Sequence, residues 1–288
     1  MSGGESQEEK QSLVDTMRQW TNSQPHLPKD ASDGLLLRFL HSCYYDLEKA
    51  KTAAELFFTI RGSSPDLLSN RDPESPAIKK TFSIINRAQL HISGNRNLWI
   101  WQLNDPGLDN YDYLQDAKIF ILTTDAWLLE DSTLQEADII LMDAKDISLK
   151  MLTKFNMSVG RRISRYQEDA MPIRLKEIHL VNVPSIMDKL FAVMKPLMKQ
   201  EITDMIHFHT STSSTLFQYL SKEDLPEDFG GTNGKMADHT KDALDLVIKH
   251  REKLNSDLWM AVGKKSKNKK EKEKSAEVTT GFRSLAID

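Results

Sequence analysis

The chain has 288 residues and 32.9 kDa, with 39% hydrophobic and 28% charged positions, a globular composition that excludes fibrous and broadly disordered chains. A net charge of −4 and a pI near 6.1 exclude a nucleic-acid polycation. One cysteine, Cys43, excludes an internal disulfide and any multi-cysteine zinc site.

The polar, acidic opening does not read as a secretory signal, Ser2 fails the myristoylation pattern, and no prenylation cysteine closes the chain. No stretch approaches the roughly 18 apolar residues of a membrane span. The expectation is a cytoplasmic protein.

In chain order, Val14, Met17 and Trp20 trace a weak opening helix that Pro25 and Pro28 end. Residues 35–40, Leu35-Leu36-Leu37-Arg38-Phe39-Leu40, form a short, strongly apolar helix. Asp46 caps a third, whose apolar positions Leu47, Ala50, Ala54, Phe57 and Phe58 recur at helical spacing. Together these predict a helical subdomain over about residues 7–70. From Thr81 the period changes. Residues 97–103 are aromatic and β-branched, and stop at the turn Asn104-Asp105-Pro106-Gly107. A helix over Tyr113–Glu130 follows, then a strand over Ala137–Asp143. Next come one long helix over residues 148–168 capped by Ser148, a strand over Leu175–Val181, a helix over residues 185–197 and a short strand over residues 206–209. Strands alternating with helices predict an α/β sheet with parallel neighbours and helical crossovers. A polar helix over residues 239–254 leads into residues 264–274, where seven lysines stand against two glutamates. That run carries +5 of a chain whose net is −4, so the remainder carries −9. It reads as a disordered basic tail.

The motifs that carry chemistry are sparse. Gly230-Gly231-Thr232-Asn233-Gly234-Lys235 lacks the leading glycine and the Ser/Thr of a phosphate loop, since Phe229 and Met236 flank it. A glycine-rich turn is the simpler reading. His207 and His209 share a strand face, but no third histidine or cysteine stands at a ligand spacing, so no metal is expected. No nucleophile elbow is present. Neither a cofactor nor an enzymatic activity is expected. The helix over residues 185–197 shows a broad apolar face of Ile186, Met187, Leu190, Phe191, Val193, Met194 and Leu197. Periodicity reads it equally as a buried crossover or as an adaptable, methionine-rich binding surface.

Five linked motifs share an order and spacing. Leu37-Arg38-Phe39-Leu40 is followed by Asp46, and Pro172-Ile173-Arg174-Leu175-Lys176-Glu177-Ile178-His179-Leu180-Val181-Asn182 by Pro184. Then come Lys195-Pro196, Ile206-His207-Phe208-His209 and Leu225-Pro226-Glu227-Asp228-Phe229-Gly230-Gly231. Over about residues 10–240 the chain resembles the CRAL-TRIO lipid-binding domain family, with most likeness to the branch of alpha-tocopherol transfer protein and cellular retinaldehyde-binding protein. The ending, Gly281-Phe282-Arg283-Ser284-Leu285, resembles tails of invertebrate members.

The resemblance implies an N-terminal helical subdomain over residues 1–75. An α/β domain over 76–240 would follow, its mostly parallel sheet flooring an apolar pocket, and 241–288 would hold a terminal helix and tail. It further implies that the helix over residues 185–197 is a lid. Pocket positions carried over are Phe120, Thr124, Leu128, Met142, Ile163, Tyr166, Leu175 and Ile178; lid positions are Met187, Leu190, Phe191 and Met194. Core packing explains the same residues as well as cavity lining does. The branch reads phosphoinositide headgroups with a basic patch, of which Arg174 and Lys176 remain here, while Glu201 and Met205 occupy two other positions and His41 and Cys43 stand where an arginine would be. The implied function is intracellular transfer of a tocopherol-, retinoid- or other isoprenoid-like ligand between membranes by a monomer that visits the bilayer transiently. The alternatives are a phosphoinositide- or phospholipid-binding regulatory module and, on a different footing, a hydrolase with an unrecognised site.

Overall fold

The computed structural model describes residues 6–262; the lysine run at 264–274 and the ending at 281–285 lie outside them. The N-terminal part is helical: α1 (Gln7–Ser23), α2 (Asp33–Ser42), α3 (Leu47–Gly62) and the short α4 (Pro65–Leu68) and α5 (Pro76–Phe82). Their starts follow from local chemistry. Ser6 and Glu9 form a reciprocal capping box on α1, Ser32 caps α2, and Asp46 accepts from the Lys49 amide on α3. Leu36, Leu40, Phe39, Phe57 and Phe58 from α2 and α3 are fully buried in one large core.

The second part is a five-stranded sheet in the order β1 (Ile85–Ile92), β2 (Arg96–Leu103), β3 (Ala137–Asp143), β4 (Leu175–Val181), β5 (Ile206–Phe208). β1 and β2 form an antiparallel hairpin, and β2 through β5 run parallel. Between β2 and β3 lies α6 (Tyr113–Glu130); between β3 and β4 lie α7 (Lys150–Lys154) and α8 (Met157–Asp169). Between β4 and β5 lie α9 (Met187–Met194), a 3₁₀ turn at Lys195–Leu197 and α10 (Gln200–Thr203). Parallel neighbours in sequential order place these crossovers on one face. On the other face, Leu98, Ile100, Ile139, Leu141 and Val181 pack against Leu216, Leu220, Leu225, Phe229 and Met236 of the chain after β5. Then α11 (Met236–Lys249) packs on β1 and α6, followed by α12 (Arg251–Leu254).

Several expectations need correction. The helix expected over residues 148–168 is two helices, and the Ser148 side chain does not cap. The Phe155 ring turns inward against Gly160 and Tyr113, and Asn156 accepts from the Ser158 and Val159 amides, starting α8 afresh. The helix expected over 185–197 is shorter, because Lys195-Pro196-Leu197 tightens into a 3₁₀ turn. β5 stops at Phe208, before His209, and the terminal helix breaks at His250, which reaches Glu130 at 2.9 Å. β1 has no strand signal of its own in the sequence, since half of INRAQLHI is polar; the Gly94–Asn95 turn, with both residues left-handed, folds it onto β2. The glycine-rich segment is indeed a turn. A Cβ at Gly231 would sit 1.8 Å from the Leu225 carbonyl oxygen, so only glycine fits.

Candidate functional site

The site starts from strand register. Trp99, Ile140, Ile178 and Ile206 pair across β2–β5 in one row, and Trp101, Met142, Leu180 and Phe208 in the next. Paired residues of parallel strands point to the same face, so eight apolar side chains tile one side of the sheet. Trp99 packs edge-on against Trp127 of α6 at 4.7 Å. Burial falls off towards the far edge: Trp99, Trp101 and Ile178 are buried, Ile140, Met142, Leu180 and Ile206 half-buried, and Phe208 is 43% exposed. An interior sheet face this apolar and this open is an unusual thing for a chain to leave, and is what an apolar ligand needs.

The crossovers supply walls. Phe120 and Leu128 of α6 pack into the same cluster as Met142, with Ile147 and Met151 beside them. Thr124, also on α6, is fully buried and its hydroxyl has no partner among the described residues. This is informative, because Thr123 next to it bonds the Ile119 carbonyl at 3.0 Å, the ordinary helical arrangement. Helix α9 covers the open side. Met187 and Leu190 are buried against Ala144, Ile147, Leu152, Leu180 and Val183, and Phe191 meets Phe208. Val193 and Met194 remain exposed.

The structure brings Met142 and Ile178 together on the floor and puts Phe120, Thr124 and Leu128 on α6 above it. Ile163 sits elsewhere, in a satellite cluster with Leu67, Leu68, Ala117 and Ile121. Tyr166 turns towards the N-terminal helices: its ring stacks on Phe57 at 5.4 Å and its hydroxyl accepts from Arg61 at 3.3 Å. Leu175 is half-buried at the register shift that opens β4. Trp99, Trp101, Ile140, Leu180, Ile206 and Phe208 are not among the pocket positions that the resemblance implies. Alternate positions in the strands held that signal, but only pairing says which alternates share a face.

The two basic positions differ. Arg174 is buried: its Nε donates to the His41 carbonyl at 2.7 Å, its Nη1 pairs with Glu136, and Tyr44 lies 4.3 Å from the guanidinium carbon. Lys176 is exposed and donates to the Tyr44 hydroxyl at 2.5 Å. On the opposite sheet face, His179 Nδ1 and His209 Nε2 lie 3.0 Å apart, His207 stacks on His179, and Tyr219 touches all three. Burial first, then the neighbouring His179 and His207, pushes His209 down to about 4. Among the described residues no group of three or more His, Cys, Asp or Glu side chains could hold a metal. A groove of about 640 Å³ between α3 and α8 is lined largely by polar side chains such as Glu48, Lys49, Thr52, Arg165 and Glu168, unlike the sheet floor. Among the described residues no helix is long and apolar enough to cross a membrane.

Comparison with known proteins agrees with this layout. Residues 6–78 match a family described as Pinta-like, UBA domain, and residues 95–231 match one described as CRAL/TRIO domain. An alpha-tocopherol transfer protein-like protein of Homo sapiens is 27% identical over 239 residues, covering 82% of this chain and 68% of that one. Clavesin-1 of Xenopus laevis is 26% identical over 205 residues, covering 69% and 61%. In structure the chain is similar to the crystal structure of Sfh5, with a TM-score of 0.51 at 11% identity, covering 86% of this chain and 99% of that one; the likeness is one of fold.

Proposed function

The chain carries a CRAL/TRIO domain, and from that premise we propose that it binds a hydrophobic small molecule or lipid over the β2–β5 floor and transfers it between membranes. The observation that carries this reading is the two rows of four apolar residues left partly open under α9. The relatives named for tocopherol transfer support a tocopherol-like ligand, within a proposed class that includes retinoids and other isoprenoids. Such a ligand is mostly apolar with one polar end, and the unpartnered Thr124 hydroxyl is the natural anchor for that end. Tyr166 is less suited, its hydroxyl already being bonded to Arg61. In this reading no bond is made or broken, and the chain acts as a monomer in the cytoplasm.

Lid energetics explain the need for a membrane. Lifting α9 exposes Met187 and Leu190, at about 1.5–3 kcal/mol each in water. At a bilayer the same face is re-buried among acyl chains, so opening is favoured where loading and release take place. Lys176 would contribute about 1 kcal/mol near an anionic leaflet. Arg174, held by Glu136 and His41, would contribute only after leaving them.

The test is native mass spectrometry of the purified full chain, with identification of any co-purifying lipid and competition by tocopherol and retinoids. A stoichiometric apolar ligand displaced by one of these is the expected result. A chain that takes up none of them but binds headgroup-bearing vesicles would overturn the carrier reading in favour of a phospholipid-binding regulatory module.

A further inference from the structure

The seam between the N-terminal helices and the α/β part holds a buried charge cluster that the proposed ligand site does not use. Arg61 of α3 makes a bidentate pair with Asp125 of α6, at 2.8 and 2.7 Å, and Arg71 adds a third contact to the same carboxylate at 2.7 Å. The side chains of Arg61 and Asp125 are 0% exposed and that of Arg71 is 1% exposed. Lys118, two helical turns from Asp125 along α6, is 6% exposed and donates to the Ser69 and Asn70 carbonyls. Asp66, which also faces Lys118, is engaged bidentately by Arg162 at 2.6 Å. Two buried arginines therefore share one buried carboxylate.

Hydrogen bonding is incomplete in the same place. Arg71 Nε and Nη2, Arg61 Nε and the Ser64 hydroxyl are buried with no partner among the described residues. The Nε–H and one Nη2–H lie parallel on one edge of a guanidinium, the fork that matches the two oxygens of a carboxylate or phosphate. On Arg71 that whole edge is unmet, while Nη1 is taken by Asp125. A neutral partner would satisfy these donors and leave the excess charge; an anion satisfies both.

We propose that the Nε/Nη2 fork of Arg71 binds an oxyanion bidentately, pinning the N-terminal helices to α6. The ligand class is a carboxylate or phosphate, either a small free anion or the acidic end of a lipid. Burial holds the Arg71 guanidinium below its ordinary value in spite of Asp125, and pushes Lys118 down as well.

The test is a thermal-midpoint titration of the full chain with sodium acetate, sodium phosphate and oleate, against sodium chloride at matched ionic strength. A saturable rise with an oxyanion that chloride does not reproduce is expected. Acetate or phosphate acting alone marks a free anion, and oleate acting alone marks a lipid carboxylate. Arg71→Lys keeps the charge but loses the fork, so binding should weaken about tenfold or more. Should that variant fail to fold, anomalous diffraction from crystals of the unaltered chain grown with selenate gives the answer. Selenate on the Arg71 fork supports the site; a water there, a rise matched by chloride, or an effect unchanged in Arg71→Lys overturns it.

Discussion

Phe191 of α9 and Phe208 of β5 meet edge to face, with ring centroids 5.3 Å apart and planes at 77°. This contact joins the covering helix to the last strand of the floor, at the point where the floor is most exposed. A pair of this geometry is worth about 0.5–1.5 kcal/mol beyond its buried area. Phe208→Ala should therefore speed ligand release by about 2- to 10-fold, read by stopped-flow transfer of a fluorescent ligand to vesicles. Unchanged release would mean that α9 is not the gate.

Thr124 offers a test with opposite signs in the empty and loaded chain. Thr124→Val removes a buried hydroxyl that has no partner, so the empty protein should hold its stability or gain a little. Affinity for a ligand with a hydroxyl or carbonyl end should fall by about 2- to 10-fold, while that for the matching hydrocarbon stays level. Equal losses for both ligands in a binding titration would assign Thr124 to packing alone.

Asp125→Ala leaves Arg61 and Arg71 buried without their counter-charge. Burial alone would raise the pKa of this carboxyl, yet the two arginines outweigh it and hold the carboxyl below its ordinary range. Removing one partner of a buried ion pair costs about 3–5 kcal/mol. Urea denaturation should show a loss of that order, with the N-terminal helices loosened first by hydrogen exchange. A loss within the scatter of surface substitutions would contradict the arrangement.

The histidine cluster predicts a pH dependence. His209 is held down to about 4 by burial, reinforced by His179 and His207, against an ordinary value of 6.5. Between those limits the unfolded chain binds the extra proton, so stability falls as pH drops through that window and is fully present above it. The slope is at most about 1.4 kcal/mol per pH unit. Glu177, which faces His179 at 3.1 Å, partly compensates, and Arg96 acts in the opposite sense. The urea midpoint should decline below pH 6.5, and His209→Gln should flatten the decline; an unaltered slope in that variant would place the titration elsewhere.

What was legible in the sequence was legible for local reasons. The strands at Ala137–Asp143 and Leu175–Val181 and the helix at Tyr113–Glu130 match the structure residue for residue, because length and flanking turns distinguish them. The break at Phe155–Asn156 was not, because it depends on a ring turning in against Gly160 and Tyr113. β1 was equally hidden, its polar alternation making sense only beside β2.

The sequence by itself determined the α/β class, the alternation of strands with helices from β2 to β5, and a family resemblance that the CRAL/TRIO match at residues 95–231 bears out. Each of these rests on neighbours along the chain or on motifs in fixed order. Tertiary structure alone decided which alternate residues tile the floor, since β-strand register joins Trp99 to Ile140, Ile178 and Ile206 across more than a hundred positions. It also decided that Tyr166 answers to Arg61, and that Arg71 and Asp125 meet inside the seam. Burial and pairing are properties of contacts between distant segments, and spacing along one chain does not encode them.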